Sequence, residues 1–154
     1  MDIKIIKAEI SDLHEILRLQ KLAYQKEANL YDDWSIPPLT QTINDIEEEY
    51  LSSLFLKAQF DDIVGSVRAS IEYGTCRIGR LIVHPDHQRK GIGSLLVKKI
   101  EESFPDANRF ELFTGTKSVD SIRLYRKLGY KEYREHDLSE KVKIVFMEKV
   151  NPSL

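Results

Sequence analysis

The chain has one cysteine, Cys76, among its 154 residues. With no partner for it, no internal disulfide frames the fold, and with no Cys/His cluster at zinc spacing a structural metal is not expected. Long apolar runs are also missing. The N-terminus, Met1-Asp2-Ile3-Lys4-Ile5-Ile6-Lys7, alternates charge with aliphatic residues and lacks the apolar core of a signal peptide. No stretch reaches the ~20 apolar residues of a membrane span. These absences give the expectation of a cytoplasmic protein with no membrane partner. Neither sign of charge dominates: 23 Lys plus Arg stand against 25 Asp plus Glu, a formal net charge of −2, so nothing draws the chain as a whole towards nucleic acid. Any basic patch must be local. Repeats, low-complexity tracts and linkers are absent too, so residues 1–154 read as a single domain, and 42% hydrophobic residues are enough to give it a core.

What is present is an alternation of strand and helix signals. Residues 3–8 read as a strand, and Ser11 is placed to cap a helix whose inner face is Leu13, Ile16, Leu17, Gln20 and Ala23 or Tyr24. The aromatic, acidic stretch 25–40 follows, where Pro37 and Pro38 forbid a continuous helix. A helix starting at Thr40 or Thr42 turns Ile43, Ile46 and Tyr50 inward and Glu47, Glu48 and Glu49 outward. Residues 54–60, 63–72 and 77–83 read as three antiparallel strands, the first two joined at Asp61-Asp62. A helix ends near Phe104-Pro105, a strand covers 109–114, and a helix starting near Ser118 stops at Gly129. Two strands, 130–135 and 142–148, close the chain. The strands at 77–83 and 109–114 should run parallel, because a helix connects them. The fold class is therefore α/β (α+β), a mixed and mostly antiparallel sheet with about four helices.

The run from Leu81 to Leu96 carries the chemistry. Leu81, Ile82 and Val83 end a buried strand, Pro85 stops it, and Ile92, Leu95, Leu96 and Ile100 recur at helical spacing. Between them, Gln88-Arg89-Lys90-Gly91-Ile92-Gly93-Ser94 enters the helix through two glycines. The first N–H groups of a helix lack internal partners and carry partial positive charge, so this turn suits a phosphate, most naturally a pyrophosphate. A P-loop would need Lys then Ser or Thr after the last glycine, and here Ser94-Leu95 follow Gly93. The dinucleotide fingerprint needs a small third residue where Leu96 stands.

Gln-x-x-Gly-x-Gly after a strand ending Val-x-Pro resembles the Gcn5-related N-acetyltransferases. Ser121-Ile122-Arg123-Leu124-Tyr125-Arg126-Lys127-Leu128-Gly129-Tyr130 resembles that family's second signature, a helix with a Leu-Tyr pair ending in Gly-Phe or Gly-Tyr. The resemblance spans nearly the whole chain. It implies the acyl-CoA N-acyltransferase fold, with the two parallel strands splayed around the pantetheine arm of acetyl-CoA. It implies that Leu81, Ile82 and Val83 pair with that arm and that Gln88, Arg89, Lys90, Gly91, Ile92, Gly93 and Ser94 hold the pyrophosphate. Ser118, Ser121 and Tyr125 then line the cofactor from the second helix, with Tyr125 nearest the sulfur. Two positions depart from the pattern. Ser118 stands where the family often has Asn, and Gly79 where many relatives carry the Glu that recruits water for deprotonating the amine.

Acyl transfer from a thioester to an amine needs a neutral amine, an oxyanion donor and a proton for the departing thiolate. The resemblance assigns the oxyanion to a backbone N–H near Val83. Tyr125, on the helix that the resemblance turns towards the thioester, is the expected catalytic acid. The base is open among Glu27, Glu72 and Glu111; His84 and His87 read as exposed loop residues. Arg89, Lys90, Lys98, Lys99, Lys117, Arg123, Arg126 and Lys127 cluster near the proposed cofactor, where some could meet its 3′-phosphate. Tyr24, Tyr31, Asp32, Asp33 and Trp34 could form a mouth for a cationic acceptor. The reading is an N-acetyltransferase acting on a primary amine of a small molecule or peptide in a ternary complex, as a monomer or homodimer. The alternative is a non-catalytic acyl-CoA-binding or regulatory module.

Overall fold

The computed structural model describes residues 2–154. A short edge strand, β1 (Lys4–Lys7), leads through a 3-10 turn (Ile10–Asp12) into α1 (Leu13–Ala23). Ser11, the expected cap, lies inside that turn. The closure comes from Glu9, whose N–H donates to the Asp12 carboxylate at 2.7 Å. α1 buries Leu13, Ile16, Leu17 and Gln20, the stripe the spacing predicts, together with Leu19.

The stretch 25–40 contains two helical segments that the sequence reading treats as link, α2 (Gln25–Tyr31) and α3 (Pro37–Thr40). No continuous helix forms, but the break comes before the prolines: α2 ends at Asp32 in the left-handed conformation. Pro37 nevertheless starts α3, because the first helical turn leaves its N–H groups unpaired and tolerates a residue without one. Thr42 caps α4 (Ile43–Tyr50): its hydroxyl accepts from the Asp45 N–H at 3.2 Å, and the Asp45 carboxylate accepts from the Thr42 N–H at 2.9 Å. Glu47 and Glu48 point outward as expected, but Glu49 turns in to pair with Arg68 at 2.8 Å.

The meander β2 (Leu54–Phe60), β3 (Asp62–Glu72) and β4 (Thr75–Val83) follows, then α5 (Ile92–Glu102), β5 (Arg109–Gly115), α6 (Val119–Lys127), β6 (Lys131–Asp137) and β7 (Lys143–Val150). The strands order as β1-β2-β3-β4-β5-β7-β6, and among the described residues only β4 and β5 pair in parallel. β3 lies near the middle, and Ile63 to Ala69 are all buried because both faces are covered. On one face Leu13 and Ile16 of α1 and Ile46 of α4 pack on Phe55, Ile63 and Ile82. On the other, Ile92, Leu96 and Ile100 of α5 pack on Leu56, Val64, Val67 and Phe110. Cys76 is buried in this second cluster. At the far edge, all seven residues of β6 are exposed and five are charged, of both signs, which guards the edge against pairing with another chain. Among the described residues no helix is long and apolar enough to cross a membrane.

The feature that positions the site is the β4–β5 pair. It makes only three partnerships, Thr75 with Arg109, Cys76 with Phe110 and Arg77 with Glu111, and then the strands part. β5 continues along β7 to Gly115. β4 is deflected by a bulge: Ser66 of β3 pairs with Ile82 and Arg68 with Gly79, so Arg80 and Leu81 together oppose Val67. Arg80 takes the left-handed conformation there, with φ 49°. An extra residue bends the strand that carries it, which opens the wedge between the two strand ends.

Candidate active site

The expected phosphate turn has the conformation such a role requires. Gln88 is extended, Arg89 is left-handed at φ 63°, and Gly91 caps α5 at φ 80°, where a residue with a side chain would be strained. The first intrahelical bond runs from the Leu95 N–H to the Gly91 carbonyl at 3.1 Å, so the N–H groups of Ile92, Gly93 and Ser94 are free of the helix ladder. Gln88, Arg89 and Lys90 are exposed, Ile92 is buried beneath them, and Gly93 and Ser94 are half-buried. A Cβ on Gly93 would meet side chains of Leu124, Leu81 and Val83 only at 3.4 to 4.0 Å. The chain's own packing therefore has room for a side chain there, and close approach of an anion to the backbone is what glycine serves. The two histidines before the turn are half-buried, not free in solution. His84 Nδ1 accepts from the Asp86 N–H at 3.0 Å, and the His87 ring meets the edges of His84 and Phe60 at 5.7 and 6.3 Å.

Across the gap, Ser118, Ser121 and Tyr125 share one face at the start and along the length of α6, as their spacing of three and four demands. Tyr125 is buried and lies against Tyr130 at 6.2 Å between ring centroids. Burial pushes its phenol well above the usual value, with Tyr24 and Glu27 adding to the rise. A hydroxyl so placed stays protonated at neutral pH and can only act as a proton donor there. Gly129 ends α6 in the left-handed conformation, as predicted.

Ser118 is also buried, and it joins a network the sequence reading does not contain. Its hydroxyl donates to Glu27 Oε2 at 2.5 Å and bonds the Tyr31 hydroxyl at 2.9 Å, while the Lys117 N–H donates to Tyr31 Oη at 2.9 Å. Tyr31 lies so close to Gly115 that a Cβ at that position would overlap the phenol. This cluster fastens α2 to the end of β5 and the start of α6. No local pattern could announce bonds between residues 86 to 91 apart in sequence.

The three candidate bases separate by position. Glu72 pairs with Thr75, at the closed end of the strand pair, and is exposed. Glu111 is taken up by Arg77 at 3.3 Å, by Arg109 at 3.1 Å and by the Tyr133 hydroxyl. Burial works to raise its pKa, but Tyr133 and the two guanidiniums outweigh it and the value is lowered. A depressed carboxyl adds stability above its unfolded pKa of ~4.3 and loses it as the pH falls through the folded value. Glu111→Gln should therefore destabilise the fold by about 1–2 kcal/mol at pH 7, and the gap to the unsubstituted protein should close towards pH 3 in denaturant titrations. An unchanged gap at both pH values would contradict this. Glu27 alone is half-buried; it accepts from the Ser118 hydroxyl, and its charge helps to raise the phenols of Tyr24 and Tyr125.

Asp32 and Asp33, expected at an acceptor mouth, hold the turn between β6 and β7. Lys141 Nζ donates to the Asp32 carbonyl at 2.8 Å, and the Asp33 carboxylate accepts from the Ser35 N–H and hydroxyl at 2.9 and 2.6 Å and from the Ser139 hydroxyl at 3.5 Å. Trp34 is exposed there. Several of the basic residues near the cofactor have partners of their own: Arg123 reaches Asp120 at 3.6 Å, Lys99 reaches Glu102 at 3.9 Å, and Arg126 bonds Glu132. Among the described residues no group of three His, Cys, Asp or Glu could hold a metal ion.

A parallel pair that parts between a glycine-entered helix and a tyrosine-bearing helix defines the class of fold used by N-acetyltransferases. The acetyltransferase (GNAT) family model matches residues 12–130, and the chain belongs to that family. It is 28% identical over 124 residues to the UPF0157 protein YqkA of Bacillus subtilis, covering 80% of this chain and 36% of that protein, so it spans about a third of that relative's length. It is 29% identical over 89 residues to an uncharacterised N-acetyltransferase of Bacillus methanolicus, covering 56% of this chain and 73% of the relative. Among solved structures, the PaiA N-acetyltransferase of Thermoplasma acidophilum in complex with coenzyme A superposes with a TM-score of 0.79 at 20% identity, covering 97% of this chain and 99% of that one.

Proposed function

We propose that the protein transfers an acetyl group from acetyl-CoA to a primary amine of a small molecule or peptide by direct attack within a ternary complex. The observation that carries this reading is the parting of β4 and β5 after three paired residues, with the free N–H groups of α5 at one side of the gap and buried Tyr125 at the other. The residues fit coenzyme A: the turn from Gln88 to Ser94 offers unpaired N–H groups and room at Gly93 for a pyrophosphate, and β4 beyond its bulge has lost its parallel partner. The complex of coenzyme A with the PaiA relative supports the same assignment. When bound, acetyl-CoA supplies the activated thioester; everything else falls to the chain. The family resemblance gives a backbone N–H near Val83 the oxyanion, and Tyr125 gives its proton to the departing sulfur.

Glu27 is the base. It is the one candidate carboxylate that bonds Ser118, on the helix face shared with Tyr125, and it is not committed to arginine. Glu27→Gln should lower kcat by about tenfold or more at pH 7, with recovery as the pH approaches the amine's own pKa of ~10. A kcat unmoved by this substitution removes Glu27 from the role. Direct attack is supported by Cys76, which is buried and whose thiol is pushed up to about 12 by burial, leaving no thiolate to carry an acyl group. The test is amine-dependent release of free coenzyme A thiol in a pool of amines and peptides. Tight coenzyme A binding without such release would favour the non-catalytic module.

A further inference from the structure

Beside the strand gap, on the sheet face turned away from α5, lies a groove of ≈ 380 Å³ lined in part by Glu49, Arg68, Arg77, Arg80, Glu111 and Phe113. The face follows from strand alternation: Cys76 and Ile78 join the cluster under α5, so Arg77 and Gly79 look the other way. The groove reaches the backbone at Gly79, where a Cβ would meet nothing within 4 Å. Gly79 lies between Arg77, the last β4 residue paired with β5, and the bulge at Arg80 and Leu81, next to the proposed thioester position. The volume falls within the ~300–1,000 Å³ of small-molecule sites.

The charges of the groove do not cancel. Arg77 is spent on Glu111 at 3.3 Å. Arg68, only 2% exposed, gives one guanidinium nitrogen to Glu49 at 2.8 Å and another to Gln20 at 2.6 Å, and its Nε is buried with no partner. Arg80 forms no ion pair among the described residues, and its Nε is likewise buried and unpartnered. Two guanidiniums thus line one groove against the single carboxylate of Glu49, which bonds Arg68, and each keeps an unsatisfied N–H. Buried donors without acceptors are costly, and two like charges lining one groove add to the cost. An incoming anion relieves both, and a planar guanidinium fits a carboxylate through paired N–H bonds.

We propose that Arg80, backed by Arg68, binds the carboxylate of an amino-acid-type acceptor and so presents its amine to the strand gap at Gly79. This rests on the acetyltransferase reading and replaces the cationic acceptor suggested by Asp32 and Asp33, whose carboxylates lie at the β6–β7 turn.

The test is calorimetric titration of the coenzyme A-saturated protein with the proteinogenic amino acids, their carboxamides, and spermidine. At least one amino acid should bind about tenfold or more tightly than its amide, and Arg80→Gln should reduce that ratio to within about twofold while leaving coenzyme A affinity unchanged. Arg80→Lys should restore part of the preference. The proposal is overturned if no amino acid binds, if amides or spermidine bind as well, or if Arg80→Gln leaves the ratio intact. Binding is read apart from turnover. Acid-selective binding without thiol release would retain the Arg80 site and sink the acetyltransferase reading; turnover of amides or spermidine without acid preference would do the reverse.

Discussion

Replacing Tyr125 by Phe is expected to lower kcat by about 10²–10³-fold while the dissociation constant for coenzyme A changes by less than about twofold. The substitution removes one oxygen from a buried ring and leaves its packing against Tyr130 in place. On the proposed mechanism, what it removes is the proton given to the leaving thiolate. Loss of an interaction made only in the transition state lowers kcat and kcat/KM together, which separates this role from a binding role. The pH profile adds a second check. An acid must be protonated to act, and burial raises the Tyr125 phenol, so its loss of activity with rising pH should begin above the ordinary phenol value of ~10. A Tyr125→Phe variant with normal kcat would reduce the residue to a packing role.

Gly115→Ala is expected to be the most damaging small substitution outside the reacting groups. The added methyl overlaps the Tyr31 phenol, so either β5 or α2 must move. Overpacking alone costs about 1–3 kcal/mol. Displacing Tyr31 also breaks its bonds to Ser118 and to the Lys117 N–H, and each buried group left unpaired costs about 1–3 kcal/mol. A total loss of roughly 3 kcal/mol would lower the melting temperature by about 6–12 °C in a domain of this size. The second substitution Tyr31→Leu should recover part of the loss, because it removes the phenol that the methyl strikes; a strictly additive double variant would contradict the account. Because the same cluster holds Glu27, Gly115→Ala should also lower kcat.

How much of this could be read from the sequence follows from how local each feature is. The α5 turn and the α6 helix were legible because glycine, proline and apolar spacing act within a few residues of themselves. The parallel pairing of β4 and β5 was legible because a helix between two strands leaves little other choice. The bulge was not, since Arg80 is not a residue type that advertises a left-handed conformation, and its neighbour Gly79 is not the residue that adopts it. α3 is hidden for a related reason: a proline that cannot sit inside a helix can start one. The buried set of Gln20, Arg68, Gln41 and Glu49 joins α1, α4 and β3 across 8 to 48 residues, and arginine in a strand reads locally as a solvent-facing residue. The family pattern places Ser118 at the site, but its bonds to Tyr31 and Glu27 depend on α2, which has no local signal in the sequence.

The most direct test of the central claim, direct acetyl transfer in the wedge between β4 and β5, is an initial-rate study in which acetyl-CoA and the best acceptor from the amine pool are both varied. Free thiol release and N-acetylated product would be measured side by side. The account predicts intersecting double-reciprocal lines, one thiol released for each amine acetylated, and a Tyr125→Phe variant that binds coenzyme A normally but turns over far more slowly. Parallel lines, or thiol release in the absence of any amine product, would contradict it.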